Sequence, residues 1–235
     1  MDGTFQTVPS LFYQLYTIHG EIEDAYFPLV FGLLPQKTEG IYVKMFEKIR
    51  EFLNVPKVQR IITDFELAVI NACSLLFPSG LSHGCYFHYR RCVRRHLQTN
   101  GKQYLYDSDK DFHLFVKKLI SIAFVPVEHV IRAFEAVRVA SDIPVDAQSV
   151  ILDFENTCIG RKMSKREPRF KHILWNFFDA IVQNFPTTNS AVEAWHTSLN
   201  NQFYVKKPSV LAFFDGLKRE QSMTELKITQ QGAGL

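Results

Sequence analysis

The sequence predicts an α/β fold in which a mixed sheet is followed by a long helical segment. Three observations predict it. Aromatic and β-branched runs come first, at 11–19 and 25–34, and short apolar runs at 58–63 and 81–86 then alternate with helical periodicity. After about residue 105 only the 3.6-residue periodicity of helices remains. The chain has 235 residues, 46% of them hydrophobic, which suffices for one substantial core or two small ones.

The first two runs predict an antiparallel hairpin whose strands are separated by a short acidic turn with Gly20. Pro28 inside the second run predicts an edge position or a bulge, because proline cannot donate to a strand ladder. A helix opens at 37–39 and ends before Pro56, and the last two strands are each preceded by a helix. A first strand region at residues 2–5 precedes the hairpin. Three antiparallel strands followed by two helix-linked strands are the order of a ribonuclease H-like fold.

Beyond residue 105 the chain reads as helices separated by Pro or Gly. Their predicted ranges are 107–125, 127–141, 146–157, 172–184, 190–201 and 208–228. We therefore divide the chain into three parts. These are the first part of the core (1–104), an all-helical insertion (105–185) and the C-terminal helices that complete the core (186–235).

Composition excludes several classes of protein. No apolar run reaches the roughly 18–20 residues of a membrane span, because the longest candidate, 25–34, stops at Pro35. A membrane partner is therefore not expected. Four cysteines at uneven spacing do not form a disulfide framework, and they indicate a reducing compartment.

The basic residues are clustered although the net charge is only +3. Residues 90–102 contain five Lys or Arg and no acid, and residues 161–171 contain six against one Glu. The first cluster lines one face of a predicted helix and the second lies in a loop, and both suit phosphate contacts. The alternative is an ordinary solvated face. The residues concerned are Arg90, Arg91, Arg94, Arg95, Arg161, Lys162, Lys165 and Arg166.

Three acidic residues stand where metal chemistry would need them. Asp2 lies in the first strand region, and Asp64 ends a predicted strand in the string Thr63-Asp-Phe-Glu66. Carboxylates at the ends of neighbouring strands lie side by side at the sheet edge, and such a pair favours a divalent cation such as Mg²⁺. A third carboxylate must come from elsewhere, and Glu193 is the candidate. The alternative is that each is a surface acid or, for Asp64, the N-cap of the next helix.

Cys85 and His88 have a spacing that can share a zinc ion. A structural zinc site needs four ligands, and only His83 or His196 is a further candidate. The alternative is that Cys85 simply packs in the core.

Several strings together resemble a known family. In their order and spacing they are similar to the transposase domain of Mutator-like elements (MULE), over nearly the whole chain from Asp2 to about Gln221. The strings include Asp2-Gly-Thr-Phe5, Leu34-Pro-x-Lys-Thr38, Thr63-Asp-Phe-Glu66, Gly84-Cys-Tyr-Phe-His88, Trp175-Asn176 and Glu193-Ala-Trp-His196.

The resemblance implies a ribonuclease H-like core with a helical insertion before the last catalytic helix. It also implies a DDE triad that acts with two Mg²⁺ ions on DNA ends. Position by position, the triad matches Asp2, Asp64 and Glu193. Asp153 and Glu155 are alternatives to Glu193 as the third carboxylate. DNA is the implied partner and the nucleus the implied location, and the chain is a candidate homo-oligomer. Near a cut, Tyr89, Trp175 and Trp195 would either stack on a base or belong to the core.

The chain departs from the family pattern at its start. A strand that carries the catalytic aspartate normally has several apolar residues before it, whereas here only Met1 precedes Asp2. We therefore expect a truncated first strand, impaired activity and no N-terminal zinc-dependent DNA-binding domain. The alternative to a Mg²⁺-dependent strand-transfer enzyme is a non-catalytic relic that binds DNA or protein. A third choice is another nuclease of the same fold, with Glu66 as its fourth carboxylate.

Overall fold

The chain divides into two compact units. The computed structural model describes residues 1–53, 58–160, 167–203 and 205–233. One unit combines Met1–Ser82 with Asn189–Leu235, and the other comprises His83–Thr188. The helical insertion expected at 105–185 lies inside the second unit, which also includes the basic helix.

In the described part of the chain, five strands form two sheets. They are β1 (Asp2–Thr4), β2 (Gln14–Ile22), β3 (Ala25–Leu34), β4 (Arg60–Thr63) and β5 (Leu81–Gly84). The first three pair in the order β1-β2-β3, both pairs antiparallel, and β4 and β5 form a separate two-stranded sheet. The first strand is therefore present, as three residues that begin at Asp2.

The predicted hairpin is confirmed, with one correction. Its turn lies at Glu23 and Asp24, both at positive φ, and Gly20 lies inside β2 instead of in the turn. A two-residue turn with positive φ matches the right-handed twist of the strands that it joins. Pro28 lies on the edge strand beside a shift of register at Ile18 and His19, so both expectations for this proline are met.

The helices follow the predicted order. They are α1 (Glu39–Leu53), α2 (Leu67–Leu76), α3 (Tyr86–Thr99), α4 (Gln103–Ser108), α5 (Lys110–Ser121), α6 (Val130–Arg138), α7 (Gln148–Phe154), α8 (His172–Trp175), α9 (Phe178–Val182), α10 (Ser190–Asn201) and α11 (Val210–Gly232). None of the helices that the structure describes is long and apolar enough to cross a membrane.

In the first unit, apolar clusters cover both faces of the three-stranded sheet. Successive side chains of β2 point to opposite faces, and Tyr16 joins a cluster with Tyr42 and Phe46 of α1. Leu15 joins a second cluster, which also contains Val8, Leu199, Phe213 and Leu217. The sheet therefore lies between α1 and α2 on one side and α10 and α11 on the other.

The second unit is built of helices around an aromatic core. Tyr89 of α3 stacks on Trp175 of α8, with ring centroids 5.6 Å apart and planes 3° apart. Phe154 packs edge-on against the same Trp175, at 6.0 Å. Both Tyr89 and Trp175 are buried, so the interpretation of these two rings as a base-stacking surface is wrong and the core interpretation is right.

The helix predicted over 172–184 is two short helices. The break lies at Asn176, whose Nδ2 donates to the Val125 carbonyl oxygen at 2.7 Å, while the Phe177 nitrogen donates to the carbonyl oxygen of Ala123 at 2.7 Å. The backbone bond of Phe177 thus replaces a helical one, and the side chain of Asn176 adds a second bond to the same distant segment. The two bonds fix Trp175 in the core.

The ring of Phe203 packs against helix α11 at Gly216, where a larger side chain would not fit. A Cβ atom there would lie 2.5 Å from Cζ of Phe203. Alanine favours helix over glycine by about 1 kcal/mol, but overpacking a core typically costs about 1–3 kcal/mol. We expect Gly216→Ala to lower the free energy of unfolding by about 1 kcal/mol in urea denaturation.

Gly40 of α1 is the matched control, because a Cβ there meets nothing within 4 Å. Gly40→Ala should raise the free energy of unfolding by about 0.5–1 kcal/mol. Equal stabilisation by both substitutions would contradict the packing of Phe203 on α11.

Candidate active site

Asp2 begins β1 in a place that disfavours its negative charge. Its side chain is 14% exposed, and Oδ1 accepts a hydrogen bond from the Gly3 nitrogen at 2.8 Å. Burial raises the pKa of Asp2, while the bond from Gly3 and the nearby Lys37 oppose that rise and Glu66 adds to it. A carboxylate in such a place is stabilised by an added cation.

Helix α10 packs on β1 through polar side chains. Nε2 of His196 lies 2.8 Å from Oγ1 of Thr17, which is the β2 residue paired with Asp2. Nδ1 of His196 lies 3.8 Å from Oδ2 of Asp2. One turn later, Nδ2 of Asn200 donates to Oγ1 of Thr4, the last residue of β1, at 3.4 Å, and Asn200 is also hydrogen-bonded to Thr7. The helix therefore runs along β1 in the same direction as the strand.

This packing determines where Glu193 lies. Glu193 precedes His196 by three residues, so both belong to one side of α10, and the rise per residue separates them by about 4.5 Å along the axis. The residue is half-buried, in the first turn of α10. The helix that carries the third predicted carboxylate therefore lies against the strand that carries the first.

Asp64 directly follows β4, and β4 lies beside the start of β1. The Met1 nitrogen donates to the Ile62 carbonyl oxygen at 2.8 Å. Burial raises the pKa of Tyr16 strongly, and Asp64 and Asp2 both add to the rise. The two aspartates therefore act on one buried phenol. The N-cap of α2 is Glu66, without a side-chain cap bond, so the alternative that Asp64 caps this helix is wrong.

Glu66 and Lys37 also belong to the candidate site, although the sequence indicated only Glu66, as a fourth carboxylate. Nζ of Lys37 lies 2.8 Å from Oε2 of Glu66, and the Tyr42 hydroxyl donates to Oε1 of Glu66 at 2.9 Å. Nε2 of Gln14 in turn donates to the Tyr42 hydroxyl at 2.8 Å. The spacing of Asp64 and Glu66 was the one sequence signal for Glu66. No local pattern indicated its pairing with a lysine 29 residues earlier.

Gly3 has a steric role in this network. A Cβ at Gly3 would collide with Oε1 of Gln14 and would lie 3.4 Å from the Tyr16 ring. Glycine next to Asp2 therefore leaves room for the buried Gln14 side chain, which holds Tyr42 against Glu66.

The donor set has the chemistry that Mg²⁺ prefers. Asp2 and Asp64 offer carboxylate oxygens, whereas Lys37 and Tyr42 occupy both oxygens of Glu66. The buried Tyr16 hydroxyl and Gln14 Oε1 have no hydrogen-bond partner in the described structure. Over those same residues, no group of three or more His, Cys, Asp or Glu side chains lies close enough together to hold a metal ion. The backbone thus brings the acidic positions to one region, while their carboxylates do not yet converge.

Cys85 and His88 lie in the second unit, at the start of α3. Cys85 is buried and occupies the N-cap position. The described residues add no third ligand of the metal-binding types to this pair. Zinc binding by Cys85 and His88 therefore stays a prediction.

The predicted basic face is present on α3. All four arginines are exposed, opposite the buried residues Tyr89, Val93 and Leu97, and none of the four forms an ion pair within the described ranges. These are Arg90, Arg91, Arg94 and Arg95. The other predicted basic residues, Arg161, Lys162, Lys165 and Arg166, lie outside the described residues.

Asp153 and Glu155, the alternatives to Glu193, do not lie in the unit that contains Asp2 and Asp64. Oδ1 of Asp153 lies 3.1 Å from Nδ1 of His96, and Glu155 begins a short π-helix, Glu155–Ile159. Both belong to the second unit. Trp195, the remaining candidate for base stacking, stacks on Phe31 and donates from Nε1 to Glu220 at 3.0 Å.

Comparison with known families supports the resemblance over part of the chain. The model of the MULE transposase domain matches residues 1–91. The match includes Asp2, Lys37, Asp64 and Glu66, together with Cys85 and His88, and ends before the helical segment and Glu193. Searches among curated proteins and among solved structures find no match to the chain.

The buried His196 makes the stability of the site depend on pH. Burial lowers the pKa of His196 to about 4, whereas an unfolded histidine titrates near about 6.5. The neutral imidazole therefore stabilises the fold above pH 6.5, and this contribution is lost as the pH falls towards 4.

His196→Gln removes the titrating ring and keeps a polar group near Thr17. Between pH 7 and 4.5 this variant should lose about 2 kcal/mol less of its free energy of unfolding than the parent chain. Urea denaturation of both proteins at the two pH values measures the difference. The same pH dependence in both would show that His196 is not buried as described.

Proposed function

We propose that the chain is a transposase-derived domain of the MULE type, which cleaves and joins DNA phosphodiester bonds with Asp2, Asp64 and Glu193 as its acidic triad. The family match over residues 1–91 supports the origin. The observation that carries the proposal is the contact of His196 with Thr17, at 2.8 Å. It brings the helix of Glu193 to the strand of Asp2.

Divalent cations are the proposed cofactor. A pair of bound Mg²⁺ ions would activate the attacking hydroxyl and stabilise the leaving oxygen of the phosphodiester. Asp2 and Asp64 would be the ligands from neighbouring strands, and Glu193 would complete the set once its side chain turns towards Asp2. The raised pKa of Asp2 supports this proposal, because a cation would relieve the cost of its buried charge.

The neighbouring side chains have defined roles in this proposal. His196 is neutral at pH 7, because burial lowers its pKa to about 4, so it does not compete with a metal for the charge of Asp2. Lys37 and Tyr42 hold both oxygens of Glu66. Glu66 is then kept from acting as a free ligand while it orients Lys37 near Asp2.

A ribonuclease H-like fold is the proposed architecture. The antiparallel order β1-β2-β3 supports it, as does the bond that joins Met1 to β4 next to β1. The position of the helical segment, between β5 and α10, supports an insertion before the last catalytic helix.

DNA is the proposed substrate, and the exposed arginines of α3 are its proposed phosphate contacts. Such contacts position a duplex without reading its sequence. A DNA substrate implies that the protein acts in the nucleus.

One observation favours a second candidate, a non-catalytic relic that binds DNA or protein. Within the described part of the chain, the three carboxylates do not form a group close enough to hold a metal ion. In this alternative the arginines of α3 would still hold phosphate, and the aspartates would have no chemical role.

Calorimetric titration with Mn²⁺ and Mg²⁺ distinguishes the two candidates. Asp64→Asn keeps the size of the side chain and removes its charge, and we expect it to weaken metal binding by at least about tenfold. It should also abolish metal-dependent cleavage of duplex DNA.

Asp24→Asn is the matched control, because Asp24 lies in the β2–β3 turn at positive φ, which asparagine tolerates. It should bind metal like the parent chain. Metal binding that is absent from the parent, or equal in the parent and Asp64→Asn, would rule out the catalytic proposal and favour the relic.

A further inference from the structure

Two exposed aromatic residues flank the candidate active site. Phe5 directly follows β1 and Tyr13 directly precedes β2, and the two residues are 44% and 55% exposed. Their ring centroids lie 5.5 Å apart, with planes at 76°. Each therefore leaves part of its ring open to solvent at one end of the sheet.

Lys37 connects this aromatic pair to the carboxylates. Its Nζ lies 4.8 Å from the centre of the Phe5 ring and 2.8 Å from Oε2 of Glu66. Lys37 also lowers the pKa of Asp2. A single ammonium group thus lies between the exposed rings and the acidic residues.

We propose that Phe5, Tyr13 and Lys37 form a subsite for one unpaired nucleotide of the DNA strand that enters the active site. The base stacks on the Tyr13 ring and meets the Phe5 ring at its edge, because the two ring planes are inclined by 76°. Its phosphate contacts Lys37. This inference rests on the proposed function and deepens it, because it names the form of DNA that the site takes.

Charge selects this occupant. A phosphate next to Asp2 and Glu66 meets repulsion unless a cation lies between them, and Lys37 is that cation. Aromatic rings offer every base a flat surface, and stacking of this kind needs no sequence preference. A base inside a duplex has both faces covered, so the nucleotide must be unpaired, as it is at a frayed or single-stranded end.

Fluorescence anisotropy with a labelled single-stranded DNA oligonucleotide tests the subsite. Ca²⁺ replaces Mg²⁺ so that the strand is not cut. We expect Tyr13→Leu and Phe5→Leu each to weaken binding about tenfold, since loss of one stacking partner has an effect of this order. Near-ultraviolet circular dichroism and urea denaturation check that both variants are folded.

Phe52→Leu is the matched control. Phe52 is 76% exposed and has its own lysine, with Nζ of Lys48 5.9 Å from the ring centre. It lies in the last turn of α1, whereas Lys37 precedes the first turn of that helix. This substitution should leave the affinity unchanged. An equal loss in Phe52→Leu, or no loss in Tyr13→Leu and Phe5→Leu, overturns the inference.

A second oligonucleotide series distinguishes stacking from phosphate contact. A strand without bases should bind the parent chain and Tyr13→Leu equally, whereas Lys37→Met should weaken its binding. A larger effect of Tyr13→Leu on the baseless strand than on the normal strand overturns the stacking role. Absence of DNA binding in the parent overturns the whole subsite.

The failure of this inference differs from the failure of the proposed function. Cleavage that depends on Asp64 but not on Phe5 or Tyr13 overturns only the subsite. Binding that depends on Phe5 and Tyr13, in a chain that neither binds metal nor cleaves DNA, supports the subsite and overturns the catalytic proposal.

Discussion

The contact between α10 and β1 is the constraint on which the candidate site depends. It joins residues that are 179 and 193 positions apart, through the 2.8 Å approach of Thr17 and His196 and the bond between Thr7 and Asn200. Thr7, Thr17 and His196 are buried, and a buried polar group left unpaired costs about 1–3 kcal/mol. Sliding α10 along β1 would unpair several of them at once. The register of α10, and with it the place of Glu193, is therefore fixed by hydrogen bonds rather than by apolar packing alone.

The same region contains features that oppose stability. Asp2 is largely buried with a raised pKa, and the Tyr16 hydroxyl and one oxygen of Gln14 lack partners within the described ranges. Apolar clusters on both faces of the sheet offset this cost. Oxygens without hydrogen-bond partners beside a buried carboxylate suit a cation site. A bound cation would stabilise the negative charge of Asp2, which burial now disfavours.

Local patterns predicted the elements that local interactions determine. Helix α10 and strand β3 have the predicted bounds, and Pro28 lies at an edge and beside a bulge as expected. The predicted position of the β2–β3 turn was wrong. The turn lies at Glu23 and Asp24, and two non-glycine residues at positive φ give a weaker sequence signal than Gly20. The break after Trp175 was not predicted, since it depends on bonds from Asn176 and Phe177 to a segment some 50 residues earlier.

Long-range contacts also limited what could be predicted about the site. The strand-end position of Asp64 follows from the sequence, whereas the pairing of Lys37 with Glu66 and the approach of His196 to Thr17 require the folded chain. The sequence also could not decide whether Tyr89 and Trp175 are buried, because aromatic residues on short helices occur both in cores and on binding surfaces. The family match ends at residue 91, so the place of Glu193 is supported by the packing of α10 alone.

The most direct test of the central claim is the location of a metal ion in crystals of the chain grown with Mn²⁺. Anomalous scattering identifies the ion independently of any assumption about its ligands. We expect a peak bonded to both Asp2 and Asp64, with the Glu193 side chain turned towards it from α10. A peak elsewhere, or no peak at a concentration that saturates ordinary Mg²⁺ enzymes, would contradict the proposal that these carboxylates form a catalytic metal site.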